Sequence, residues 1–330
     1  MRGVTRLDFH SVYQRYRAQL EQVEYILHDR AASQQTVLAE ASQQLLDAGG
    51  KRLRPLFALI CGTTQQLHED SDDRVSKLAA ALELTHMATL VHDDVIDQAA
   101  LRRGRPTVRS EYGNLAAMYT GDFLFARAIQ LLAEVDNPEV HREMSLGMVR
   151  LCQGEIEQIR DFYNWDQSIK TYLRRIERKT ALLIALSCAL GARMSAASEQ
   201  DISALRLFGH YTGMAFQIVD DILDFVGSQE VVGKPVGGDL RQGNLTLPAL
   251  VAAQTPNVGR RLRGLIHEGM NQDDVLEAVS LVLDTQGLHV ARSLAQRYLD
   301  KALTVLTRVS DERVQKELSV LTQFVAERSF

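Results

Sequence analysis

Proline is scarce in this chain of 330 residues: there are six, at positions 55, 106, 138, 235, 248 and 256. The stretches between Pro138 and Pro235 and after Pro256 therefore lack the residue that most effectively interrupts a helix, so long helices are permitted there. Cysteine is scarcer still. Cys61, Cys152 and Cys188 are odd in number, widely spaced and without a CxxC or Cys/His metal pattern. That excludes a disulfide framework and a thiolate zinc site and reads as buried, reduced thiols. No apolar run reaches the roughly 20 residues of a membrane span; the longest, residues 181–192, is interrupted by Ser187. The N-terminal stretch lacks the apolar core of a signal peptide. Nor is there an excess of positive charge: the net charge is -5, which argues against general nucleic-acid binding. These absences together predict a cytoplasmic globular protein with at most peripheral membrane contact.

Helical signals are plentiful. Asn137-Pro138-Glu139 supplies an N-cap, a preset φ and an acidic first turn, and Ser198 with Asp201 repeats the capping pattern. Gly49-Gly50 follows the periodic run 36–46 as a C-terminal stop. Apolar residues recur at three- and four-residue spacing through most segments, strand-like alternation is scarce, and no fixed repeat or linker composition appears. The fold class expected is all-α, as one domain over residues 1–330.

Against that background a DDxxD pattern occurs twice. Asp93, Asp94 and Asp97 lie in LVHDDVID, and Asp220, Asp221 and Asp224 lie in FQIVDDILDF. On a helix, positions four apart share a face, so Asp93 pairs with Asp97 and Asp220 with Asp224. Like charges in apolar surroundings require a compensating cation. Mg²⁺, held by one or two carboxylates, waters and phosphate oxygens, suits sparse aspartate pairs. One copy alone would read equally as a solvated acidic face; two copies in apolar runs argue against that. Basic groups for a bound anion are also present. Lys51, Arg52 and Arg54 follow the glycine pair in GGKRLRP, and Arg102, Arg103 and Arg105 follow the first aspartates in LRRGRPT. Short basic runs are common on solvated loops, and only their company makes these notable. Lys179-Thr180 opens an apolar segment. Lys234 lies in GKPVGGD, whose glycines suggest a mobile flap and which does not form a Walker loop. His86, two helical turns before Asp93, points to the same face. Ala81, Thr85, Ala88 and Thr89 form a flank of small residues, which suits either a deep channel or close helix packing.

Taken in order, GGKRLRP, HMATLVHDDVIDQAALRRGRPT, Lys179-Thr180, FQIVDDILDF and GKPVGGDL resemble the motifs of trans-polyprenyl diphosphate synthases, over roughly residues 35 to 250. MYTGDFLFA, GEIEQIRDFYN and TYLRRIERKTALLIALSCALGA look most like component II of bacterial heptaprenyl diphosphate synthases. The resemblance implies a helical bundle of the isoprenoid synthase type with a central cavity. It also implies repeated condensation of isopentenyl diphosphate with an allylic diphosphate such as farnesyl diphosphate, giving a long polyprenyl diphosphate, heptaprenyl for quinone side chains such as menaquinone. By the same resemblance, Asp93, Asp97 and Asp220 would ligate Mg²⁺, with Asp94, Asp221 and Asp224 in support. Arg102, Lys179 and Lys234 would hold the allylic diphosphate, and Lys51, Arg54, His86 and Arg103 isopentenyl diphosphate. Gln217 would sit beside the reacting centre, with Thr180 also in the catalytic set. Family members that stop at farnesyl length tend to carry an aromatic residue near the position of Ala88, so an alanine implies a deeper channel. The resemblance further implies a homodimer, or a heterodimer with a small regulatory subunit needed for activity. A class I terpene cyclase and a non-catalytic subunit are the competing readings; the paired basic motifs argue against the first and the intact aspartates against the second.

Overall fold

The computed structural model describes residues 8–64, 72–102, 104–226 and 236–327. The expected helices form: α1 (Phe9–Arg15), α2 (Arg17–Ala31), α3 (Thr36–Asp47), α4 (Leu53–Cys61), α5 (Asp72–Ile96), α6 (Val108–Ala133), α7 (Pro138–Arg160) and α8 (Ile169–Ile176). A π-helical stretch, Glu177–Ala181, joins α8 to α9 (Leu182–Met194), and α10 (Glu199–Val226) follows. Then come α11 (Gly238–Arg241), α12 (Leu247–Ala252), α13 (Pro256–Leu265), α14 (Gln272–Leu283), α15 (Gly287–Leu306) and α16 (Glu312–Glu327). Extended structure among the described residues is confined to a hairpin that pairs Leu101 with Pro106 and Arg102 with Arg105, where a basic loop was expected. Gly104, at φ +76, makes its turn.

The caps read from sequence are in place. The Asn137 side chain accepts from the amides of Glu139 and Val140. Ser198 accepts from the Asp201 amide, and Asp201 also accepts from the amide and hydroxyl of Ser310, so one capping residue ties two distant helices. The glycine pair ends α3 as expected, with Gly49 in the left-handed region at φ +68. The expectation of buried thiols is met at Cys61 and Cys188 and corrected at Cys152, which is exposed.

The chain divides into two compact units, each assembled from three stretches. The first comprises Met1–Leu146, Leu183–Gly209 and Thr304–Leu321; the second comprises Gly147–Leu182, His210–Leu303 and Thr322–Phe330. In the first, α5 is packed by α2, α4 and α6. Leu78, Ala79, Ala80, Ala81, Leu82 and Leu84 have no exposed surface, and a helix apolar on every side has to be interior. Each buried leucine there contributes about 1.5–3 kcal/mol relative to exposure. Phe57 of α4 meets Phe208 of α10 edge to face at 6.2 Å. In the second unit, Ile218, Ile222 and Phe225 of α10 are buried with Leu247, Val275, Val282 and Ala291 of the helices that follow. Each unit carries one of the two aspartate clusters.

Candidate active site

In the first unit, α5 emerges from its interior at its C-terminal end. His86, Leu90 and Asp97 are half-exposed and lie on one face with Asp93, which is 7 % exposed; the spacings of four, three and four produce that face. Asp97 stands just past the last helical residue, its amide still bonded to the Asp93 carbonyl at 2.8 Å. Asp94, one residue on, is rotated by about 100° and buried. It takes a forked interaction from Arg102: Nε lies 3.0 and 3.2 Å from its two oxygens and Nη2 2.8 Å from Oδ1. The hairpin turns the chain back so that these residues, eight apart, can meet. In this structure Arg102 is thus bound to Asp94, and Asp94 holds an arginine in place. Next to the cluster, His92 Nε2 lies 3.2 Å from the Met118 carbonyl and 3.4 Å from Asp122 Oδ1. Gly121 between them has no room for a Cβ beside that ring, which accounts for the glycine in MYTGDF. The small residues behave as a flank of α5: Ala81, Thr85 and Ala88 are buried. The hydroxyls of Thr85 and Thr89 donate back to the carbonyls of Ala81 and His86, which satisfies them within the helix.

The basic loop before α4 holds a feature that its sequence hid. Lys51 is exposed and Arg54 half-exposed, but Arg52 between them is buried. Its backbone is left-handed, φ 46 and ψ 43, a conformation costly for a residue with a Cβ. Its guanidinium is clamped by Glu24 (Nε–Oε1 2.5 Å, Nη2–Oε2 3.2 Å) and by Glu83 of α5 (Nη1–Oε1 3.2 Å). Arg52 therefore fixes the turn that presents Lys51 and Arg54. Arg103 lies outside the described residues.

In the second unit, α10 carries the other cluster. Asp220 and Asp224 are half-exposed and Asp221 is buried. Asp221 Oδ1 accepts from Gln217 Nε2 at 2.8 Å and Oδ2 from the Tyr172 hydroxyl at 2.6 Å. Gln217 Oε1 in turn accepts from the Thr180 hydroxyl at 2.6 Å. Burial and the nearby Asp239 carboxylate push the Asp221 carboxyl well above the usual range, against these hydrogen bonds; burial and the charge of Asp221 likewise push the Tyr172 phenol up. Lys179 Nζ lies 3.2 Å from Glu155 Oε2. Lys179 and Thr180 belong to the π-helical stretch, a local widening that often accompanies functional positions. Asp224 accepts from the amides of Gly238 (3.1 Å) and Asp239 (3.0 Å), while its carbonyl accepts from Gly237 (2.8 Å). Residues 236–239 thus form a turn bound to Asp224; the rest of the loop expected to be a flap, Lys234 included, lies outside the described residues. Tyr172 lies within TYLRRIERKTALLIALSCALGA but was not singled out in the sequence, because its partner Asp221 is 49 residues away.

A family model described as polyprenyl synthetase matches residues 35–282. Heptaprenyl diphosphate synthase component 2 of Bacillus subtilis (strain 168) is 42 % identical over 99 % of this chain and 93 % of its own length. Its namesake in Geobacillus stearothermophilus is 46 % identical over 94 % and 96 %. Among solved structures, polyprenyl synthase from Caulobacter crescentus CB15, described as complexed with calcium and isoprenyl diphosphate, superposes with a TM-score of 0.91 at 32 % identity, covering 97 % of each chain. The chain belongs to the polyprenyl synthetase family, with its all-α isoprenoid synthase fold. Within it, the protein is a trans-polyprenyl diphosphate synthase, a chain-elongating prenyltransferase acting on prenyl diphosphates in a family that generally uses a divalent metal. Among the described residues no helix is long and apolar enough to cross a membrane.

Proposed function

We propose that this chain makes heptaprenyl diphosphate in the cytoplasm by adding isopentenyl diphosphate repeatedly to an allylic diphosphate, farnesyl diphosphate serving as primer, and that residues 1–330 act as one catalytic domain. The observation that carries the product assignment is the identity to two heptaprenyl synthase components over nearly the whole chain.

The donor chemistry fits Mg²⁺. Asp93 and Asp97 at the C-terminal end of α5 in the first unit, and Asp220 on α10 in the second, offer hard carboxylate oxygens. An ion that keeps waters and phosphate oxygens suits such a sparse set. We assign Asp93, Asp97 and Asp220 as its ligands, with Asp94, Asp221 and Asp224 in support; Arg102 bonds to Asp94, Tyr172 and Gln217 to Asp221, and backbone amides to Asp224. Mg²⁺ would supply charge neutralisation of the departing diphosphate. Arg102, Lys179 and Lys234 bind and orient the allylic diphosphate; Lys51, Arg54, His86 and Arg103 bind isopentenyl diphosphate. The allylic C–O bond breaks, the isopentenyl double bond forms the new C–C bond, and the proton released passes to the diphosphate. Thr180 and Gln217 place oxygen dipoles beside the allylic cation, so that most of the acceleration comes from positioning and electrostatics.

The chain-length assignment rests on the small side chains Ala81, Thr85, Ala88 and Thr89 along one flank of α5. Ala88→Phe is expected to shorten the products to near farnesyl or geranylgeranyl length, read by chromatography after incubation with Mg²⁺, farnesyl diphosphate and labelled isopentenyl diphosphate. Unchanged length would remove this flank as the limit. The same assay on the unaltered protein should give heptaprenyl diphosphate. Diphosphate release without isopentenyl diphosphate would instead identify a cyclase.

Both units carry apolar side chains facing water: Leu115, Tyr119 and Ile129 on α6 in the first, and Val149, Ile156 and Ile159 on α7 in the second. Each series follows helical spacing, and exposed apolar stripes of this kind mark interaction surfaces. We propose that a second copy of the chain covers them. The name "component 2" borne by the two relatives favours an additional small chain required for activity. Solution mass of the chain alone should be that of a dimer; a monomer that elongates at full rate would count against both partners.

A further inference from the structure

Three side-chain hydrogen bonds run in series through the second unit: Thr180 hydroxyl to Gln217 Oε1, Gln217 Nε2 to Asp221 Oδ1, and Tyr172 hydroxyl to Asp221 Oδ2. Thr180 and Gln217 have roles in the proposed mechanism. Tyr172, at the far end, has none, although it has no exposed surface and is among the largest fully buried side chains of the protein.

Two structural devices bring its hydroxyl to Asp221. The first is the π-helical stretch Glu177–Ala181. Residues eight apart point about 80° apart on a regular α-helix, yet Tyr172 and Thr180 both reach α10, to Asp221 and Gln217, themselves one turn apart. The wider turn of the π segment removes most of the angular difference. The second is Gly213, whose added Cβ would lie 2.5 Å from Ala181 Cα; its absence lets α10 press against the π segment. The Tyr172 ring is held in turn by Arg175, whose guanidinium lies 5.7 Å over it while bonding to the Leu245 carbonyl (2.8 Å) and Gln167 Oε1 (3.0 Å).

We propose that Tyr172 is a positioning residue for prenyl transfer: by occupying one oxygen of Asp221 it fixes the other toward Gln217 Nε2, so that the Gln217 carbonyl is the end of the amide turned to Thr180. A carboxylate held at one oxygen has only the other to offer, and an amide held at its nitrogen can present only its oxygen beyond it. Without the Tyr172 hydroxyl the Asp221 carboxyl can turn, and the Gln217 amide loses the constraint that keeps its polarity. The inference rests on the reading that Gln217 and Thr180 lie beside the reacting centre.

The experiment compares Tyr172→Phe, Asp221→Asn, Gln217→Ala and the Tyr172→Phe/Asp221→Asn double variant, each full-length and in the active assembly with Mg²⁺, by single-turnover condensation and steady-state kinetics. Tyr172→Phe should lower the single-turnover rate constant about ten- to a hundredfold, with KM for both diphosphates changed less than about threefold. The double variant should be no slower than Asp221→Asn alone within about twofold, since both sever one link. A purely structural tyrosine would instead reduce the amplitude, the folded fraction, at an unchanged rate constant, and the two substitutions would multiply; either result overturns the proposal. If Tyr172→Phe does not fold, the link is tested from its other end: Asp221→Asn must show the same split between rate constant and KM, and its absence overturns the proposal. Gln217→Ala separates the two levels of inference. A full-rate Gln217→Ala enzyme refutes the placement of Gln217 and the proposal with it, whereas a slow Gln217→Ala beside a full-rate Tyr172→Phe refutes the positioning role alone.

Discussion

Asp220→Asn should slow condensation by about a thousandfold, roughly 4 kcal/mol of transition-state stabilisation, while the unfolding midpoint stays within a few degrees of the parent. The substitution keeps the shape of the side chain and removes its charge. Asp220 is half-exposed on α10, so its neutral isostere leaves the packing of the helix as it is. Its neighbour makes the contrast. Asp221 is buried between two donors, and its replacement acts through geometry and not through a lost ligand. If Asp220 ligates Mg²⁺, raising the metal concentration should recover part of the Asp220→Asn rate and none of the Asp221→Asn rate. A tenfold loss or less at position 220, unresponsive to Mg²⁺, would remove Asp220 from the ligand set. The parallel comparison in the first unit is Asp93 against Asp94, where loss of Asp94 frees Arg102 from its forked partner.

The second large effect concerns stability. Arg52→Ala is expected to destabilise the protein by about 3 kcal/mol or more, because it leaves Glu83, 5 % exposed, buried without its cation. The half-exposed Glu24 loses a partner as well, but water can replace it. Arg52→Gly removes the same guanidinium yet relieves the left-handed backbone, worth about 1 kcal/mol for a residue with a side chain. It should therefore unfold at a higher urea concentration than Arg52→Ala. The reverse order would show that the backbone conformation at this position carries no strain. Because the clamp sets the turn between Lys51 and Arg54, both variants should also raise KM for isopentenyl diphosphate more than they lower kcat.

Much of this architecture was legible before any coordinates, and the reasons are physical. Helix starts at Asn137 and Ser198 are local events: a side-chain oxygen meets an amide two or three residues away, and three letters suffice to recognise it. The paired aspartates were equally local. The same spacing turns the second aspartate of each DD pair about 100° away from the first, so Asp94 and Asp221 face inward and need protein donors. What could not be read were the donors. Arg102 reaches Asp94 only because a hairpin reverses the chain, and Tyr172 reaches Asp221 across 49 residues of sequence. The π segment at Lys179 leaves no mark on hydrophobic periodicity, and the left-handed Arg52 contradicts the preference of its own residue type. Each of these depends on tertiary partners that a linear pattern does not contain. For Arg103 and Lys234, outside the described residues, the assignment rests on sequence alone.

The three-part construction of each unit has a consequence for how the protein is made. The first unit lacks its closing stretch, Thr304–Leu321, until long after its first stretch has been synthesised. After Leu146 emerges from the ribosome, the chain that completes this unit is still more than 150 residues away, a delay on the order of ten seconds at ordinary elongation rates. During that interval the face of α4 that meets Gly191 and Phe208, and Tyr16, which meets Glu317, stand open to other nascent chains. Neither unit corresponds to a contiguous fragment that could be expressed by itself, so folding of this enzyme is a late event that engages both halves of the sequence together, and its yield in a cell depends on what shelters the unfinished helices in the meantime.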